Sequence, residues 1–117
     1  MRETKNQRIA RLTNRLSKMG VSILDVPKLL RISNSLSKMA ERYCNEPLTD
    51  EQNTRAIQRE ERLVMDAIAL VAPADCRIYH QGDPRGAALY VLPGIAENPE
   101  RPDDSYYSSD GVAVTID

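Results

Sequence analysis

Tryptophan and phenylalanine are absent from this 117-residue chain, and its only aromatic side chains are Tyr43, Tyr79, Tyr90, Tyr106 and Tyr107. Without the largest rings, Leu, Ile, Val, Met and Ala must fill the core, which predicts ordinary stability for a single domain of this length. Two cysteines, Cys44 and Cys76, are too few for a secreted disulfide framework and are expected as free thiols. One histidine, with no CxxC or HxxxH spacing, offers almost nothing for a zinc site, so neither a metal nor another cofactor is expected. No run approaches the roughly 18 apolar residues of a membrane span, and Met1-Arg-Glu-Thr-Lys5 has no apolar signal core behind it. The expected location is the cytoplasm.

What is present is unevenly charged. Residues 1–43 carry ten Lys and Arg against three acids, whereas residues 44–117 carry six Arg against fourteen acids. The halves are electrically complementary although the whole is nearly neutral, so a basic surface could be compensated within one copy or between two. Both a monomer and a homodimer are compatible with this distribution.

Three helices are predicted. Ile9, Leu12, Leu16 and Met19 recur at helical spacing over Thr4 to Met19, with Gly20 as a stop. Arg8, Arg11, Arg15 and Lys18 repeat the spacing one residue earlier, giving a basic stripe beside the apolar one. The second helix opens at Asp25-Val-Pro27, an acidic cap with Pro in the first turn, and turns Leu29, Ile32, Leu36, Met39 and Tyr43 inward. The third starts at a capping box, Thr49-Asp-Glu-Gln52, runs through Ile57, Leu63, Val64, Ala67, Ile68 and Val71, and is closed by Pro73. Asn14 to Met19 and Asn34 to Met39 match at five of six positions, but two short copies make similar helix surfaces rather than a repeat protein.

After Pro73 the period changes to two. Cys76, Ile78 and His80 alternate with Arg77 and Tyr79, Leu89 and Val91 alternate with Tyr90 and Leu92, and Asp83-Pro-Arg-Gly86 fits a type I turn between them. The implied register sets Ile78 opposite Val91, Tyr79 opposite Tyr90 and His80 opposite Leu89. Cys76, Ile78, Leu89 and Val91 then face the helices, while Arg77, Tyr79 and Tyr90 face outward. A strand over Val112–Ile116 buries Val112, Val114 and Ile116, with Asp110-Gly111 able to hairpin it to Ser105–Ser108. The predicted fold is α+β: three N-terminal helices on one face of a three- to four-stranded antiparallel sheet. It divides into a basic helical pair (1–46), a third helix (47–73) and the sheet (74–117), which includes an acidic, proline-broken loop over 93–110.

Four features invite functional readings. The stripe Arg8, Arg11, Arg15 and Lys18 could meet phosphates or an acidic partner, or could be a solvated flank offset by Asp50, Glu51, Glu60, Glu61 and Asp66 of the third helix. Lys28 to Lys38 loosely resembles a helix-turn-helix, but Arg31 stands where the turn wants Gly, and the apolar period runs on unbroken, so one continuous helix accounts better for it. Tyr79 and Tyr90, with Arg77 near, could form a stacking platform, or could simply stabilise the strand pair by about 0.2 to 1 kcal/mol. The loop from His80 to Gly86 sets the sole His beside Asp83 and Arg85, which permits a small enzyme or nucleotide-binding reading. Turn chemistry already explains Asp83, Pro84 and Gly86, and no nucleophile or metal set accompanies them, so no catalytic residue is assigned.

Specific motifs carry a resemblance. Glu41-Arg-Tyr-Cys-Asn45, Leu48-Thr49 with Gln52, Tyr79-His-Gln-Gly-Asp-Pro-Arg-Gly-Ala-Ala-Leu-Tyr90 and Gly111-Val-Ala-Val114 are similar to motifs of a family of small uncharacterised proteins of tailed phages and bacterial prophages. The likeness covers about the last two thirds of the chain, and Gln81 to Gly86 is its most specific part. It implies a phage accessory protein in a bacterial cytoplasm, with Gln81 and Arg85 joining Arg77, Tyr79 and Tyr90 as binding candidates. By analogy, small phage proteins often bind and block a host component, including CRISPR-type immune nucleases. The expected activity is therefore binding to a host protein or nucleoprotein complex, with direct nucleic-acid binding by the basic helices as the alternative.

Overall fold

A computed structural model describes residues 3–81, 87–94 and 111–116. Helix α1 spans Lys5–Lys18, α2 Val26–Asn45 and α3 Asp50–Val71, followed by a 3-10 turn over Ala72–Ala74. Strands β1 (Cys76–His80), β2 (Leu89–Pro93) and β3 (Val112–Ala113) form one antiparallel sheet in the order β1-β2-β3. The α+β architecture is the one the sequence predicts. The turn at Asp83–Gly86, the Ser105–Ser108 hairpin and most of the acidic loop lie outside the described residues.

Local chemistry accounts for the helix ends. At α3, Thr49 Oγ1 accepts from the Gln52 amide at 3.2 Å while the Thr49 amide donates to Gln52 Oε1 at 3.0 Å. The same reciprocal box closes α1 through Thr4 and Gln7, a Thr-x-x-Gln pattern equally present in the sequence. At the other end of α1, the Gly20 amide donates to the Ser17 carbonyl and the Val21 amide to that of Leu16, a Schellman motif in which Gly20 takes φ +97°. Buried Val21 and Leu16 supply the apolar contact that commonly accompanies this motif. Asp25 is the N-cap of α2 but makes no capping hydrogen bond; it lies in the right-handed helical region and pairs instead with Lys28 at 3.6 Å. Helix α2 runs through Arg31 without a break, as expected for one continuous helix.

The register is the predicted one: Ile78 faces Val91, Tyr79 faces Tyr90 and His80 faces Leu89. β2 is central, with Val91 opposite Val112 and Tyr90 opposite Ala113 on its second side. The third strand is shorter than the expected Val112–Ile116, although its pairing continues as the Val114 amide donates to the Leu89 carbonyl at 2.9 Å. Leu12 and Leu16 of α1, Leu29, Ile32 and Leu36 of α2, and Ala67 and Val71 of α3 close on Leu89, Val91, Val112 and Val114 as one core. Ser33 is its buried polar member, and its hydroxyl donates to the Val114 carbonyl at 2.7 Å, tying α2 to the last strand.

Two expectations about burial need correction. Ile57 and Ile68 of α3 are not core residues; they are exposed, as is Met65, while the inward side is Ala67 and Val71 with half-buried Leu63 and Val64. Nor is the outer side of the sheet open. Leu92, which shares it with Arg77, Tyr79 and Tyr90, is 2% exposed and stands apart from the continuous core.

The length of α3 explains part of this. His80 lies beside Glu60, α3 packs against β1, and the strand follows α3 after a short turn, so it runs back under the C-terminal half of the helix. Four strand steps cover about 13 Å, and the rise from Glu60 to Val71, about 16 Å, more than spans the strand. The ten helical residues before Glu60 therefore project past the sheet for about 15 Å, beside the C-terminal end of α2. Ile57 lies on this overhang.

Candidate functional site

The predicted tyrosine platform exists as a pair. The rings of Tyr79 and Tyr90 lie edge to face, 6.2 Å between centroids with 61° between planes, the arrangement favoured by aromatic quadrupoles. Both are half-buried, and Tyr79, Gln81, Tyr90 and Thr115 each hold further interactions within the chain. Arg77 sits on the same side, half-buried, with its Nε buried and lacking a hydrogen-bond partner. Arg85 lies outside the described residues. What was expected as an open recognition face is thus largely engaged by the protein itself.

His80 faces the helices, as its alternation with Arg77 and Tyr79 implies, while Asp83 and Arg85 lie outside the described residues. The His80 Nδ1 lies 3.5 Å from Glu60 Oε1 of α3, so the acid that meets it comes from a helix twenty residues upstream. Tyr43 of α2 joins this junction: burial pushes its phenol above the usual value, the Glu60 carboxylate pushes it further, and Arg42 pulls it down. Its hydroxyl is buried without a hydrogen-bond partner. Cys76, at the opposite end of β1, has a buried thiol beside the carbonyls of Met19 and Ala74, and burial followed by the Asp75 charge raises its pKa. Both cysteines are free thiols, Cys44 exposed and Cys76 buried.

The basic stripe of α1 stands without the compensation that α3 could have supplied. Arg15 and Lys18 are exposed and have no ion-pair partner among the described residues, Arg11 pairs with Glu3 at 3.0 Å, and half-buried Arg8 has an unpartnered Nε. The acids proposed to neutralise it are used locally or left to solvent: Glu51 pairs with Arg55 on its own helix, Glu60 meets His80, and none reaches α1. Helix α2 carries a second stripe that the sequence reading passed over. Lys28, Arg31, Lys38 and Arg42 follow helical spacing with Ser35 in the gap, all four are exposed, and the side opposite holds buried Leu29, Ile32 and Leu36. The spacing is visible in the sequence, but the broken repeat at Ser35 hides it.

Where the α2 stripe ends, a cleft begins. Met39, Arg42 and Tyr43 of α2, Leu48 of the connecting turn, and Gln52, Arg55, Ala56 and Arg59 of α3 enclose about 230 Å³ within the overhang. Arg42 pairs with Glu46 at 3.2 Å and Arg55 with Glu51 at 2.7 Å, each with an exposed carboxylate four residues away. Arg59 has no ion-pair partner among the described residues. Those residues hold no group of three or more His, Cys, Asp or Glu able to ligate a metal, and no helix is long and apolar enough to cross a membrane.

Comparison with protein-family models, curated proteins and solved structures gives no match.

Proposed function

We propose that this chain works by binding an acidic protein partner through the solvent-facing basic stripes of α1 and α2. The observation that carries this reading is the exposure of those stripes: Arg15, Lys18, Arg31 and Lys38 are solvent-facing and lack ion-pair partners among the described residues. Exposed cations that stabilise little in the free protein are available to steer and register a partner of opposite charge. A protein surface is preferred to nucleic acid because the whole chain is slightly acidic, with an isoelectric point of about 5.9, whereas nucleic-acid-binding domains are commonly basic overall. The motif resemblance to phage and prophage proteins fits a host protein in a bacterial cell, whose activity such binding would modulate.

The test is capture from bacterial lysate on the immobilised full chain at low ionic strength, with and without nuclease. The reading expects an acidic protein retained after nuclease treatment and lost by the variant Arg15→Glu, Lys18→Glu, Arg31→Glu, Lys38→Glu. Retention of nucleic acid alone, with affinity falling steeply as salt rises, would replace it with direct nucleic-acid binding.

A further inference from the structure

The α2–α3 cleft joins three properties that the stripes do not share: concavity, apolar lining residues and three arginines in its wall. Met39, Leu48 and Ala56 provide the lining, and Arg42, Arg55 and Arg59 the charge. We infer that this cleft is the anchor point for the acidic partner, taking one large apolar side chain while flanking carboxylates meet the three arginines.

The volume sets the scale. About 230 Å³ is below the usual range for whole small-molecule sites, roughly 300 to 1,000 Å³, but it suits a single side chain inserted from a partner. Interfaces concentrate their binding energy in such pockets, with a desolvated apolar anchor at the centre and polar contacts around it. Arginine is suited to that surround because its planar fork binds a carboxylate bidentately. Arg59 offers this fork without an internal competitor, whereas Arg42 and Arg55 would exchange exposed single-turn ion pairs, weak in water, for the partner's carboxylates. The location adds continuity: Arg42 is both the last residue of the α2 stripe and a wall of the cleft, so one extended acidic segment can follow the stripe into it. Because α3 projects past the sheet here, occupation need not disturb the main core.

This inference rests on the acidic-partner reading, and the experiment separates the two. The full chain, isotopically labelled, is titrated in amide-resolved NMR with the peptide Glu-Asp-Phe-Asp-Glu, with Glu-Asp-Ser-Asp-Glu and with adenosine monophosphate. The expected result is that the phenylalanine peptide shifts amides around Met39–Tyr43 and Gln52–Arg59, and binds about tenfold more tightly than the serine peptide, which shifts chiefly the Lys28–Lys38 face. Arg59→Glu and, separately, Ala56→Trp, which fills the cleft, each reduce the phenylalanine preference to near unity while the melting temperature stays close to wild type. Equal binding of both peptides along the stripe, with an unmoved cleft, overturns the anchor and leaves the acidic-partner reading standing. No shift with either peptide overturns both, and tighter cleft binding by the nucleotide than by the phenylalanine peptide reassigns the cleft to a phosphate-bearing ligand. Should Ala56→Trp fail to fold, the exposed charge reversal at Arg59 decides alone.

Discussion

The two halves of α3 use similar residues under opposite constraints. Over the sheet, Ala67 and Val71 are fully buried against α2 and the strands while Ile68 on the outer side is exposed; before Glu60 no residue of the helix is buried, and it borders a cleft ringed by arginine. The C-terminal half is held by burial on several sides, the N-terminal half by its capping box and the neighbouring end of α2. Cohesion and recognition are thereby separated along one helix, so residues of the overhang can face a partner without weakening the core.

The sharpest way to break this comparison is to truncate two residues of the core that the sheet-covering half joins, both on α2, and one residue of the overhang. Leu29→Ala, at a site with no exposed surface, is expected to cost about 2 to 5 kcal/mol through lost burial and a residual cavity. Ser33→Ala comes next: it strands the buried Val114 carbonyl, and a loss of about 1 to 3 kcal/mol is expected. Ile57→Ala on the overhang should fall within about 0.5 kcal/mol of wild type. Denaturant unfolding of the three variants reads all of these. A loss at Ile57 as large as that at Leu29 would mean that the overhang belongs to the cooperative core.

Much of the fold is legible in the sequence because its signals are local. The Thr49–Gln52 box, the Gly20 stop and the hairpin register each depend on residues a few positions apart, and alternation alone sets Tyr79 opposite Tyr90. The exposure of Ile57 and Ile68 was not legible, since helical periodicity marks an apolar face without saying which of its edges the rest of the chain covers. The His80–Glu60 contact likewise depends on how a strand aligns with a helix. The α2 stripe was visible in principle, at Lys28, Arg31, Lys38 and Arg42, but the cleft at its end exists only once two helices are packed, and neither contributes a recognisable motif. The outward tyrosines illustrate the converse: alternation assigns a face, but burial depends on what else in the chain meets it.

The most direct measurement is a pair of numbers on one variant: the melting temperature and the partner affinity of Arg15→Glu, Lys18→Glu, Arg31→Glu, Lys38→Glu. If these bases face outward to bind, melting changes by only a few degrees while affinity for the acidic partner falls by at least about a hundredfold, since rejecting a like charge costs several kcal/mol across an interface. A protein that melts far lower, or one that melts as before and still binds as tightly, would contradict the account.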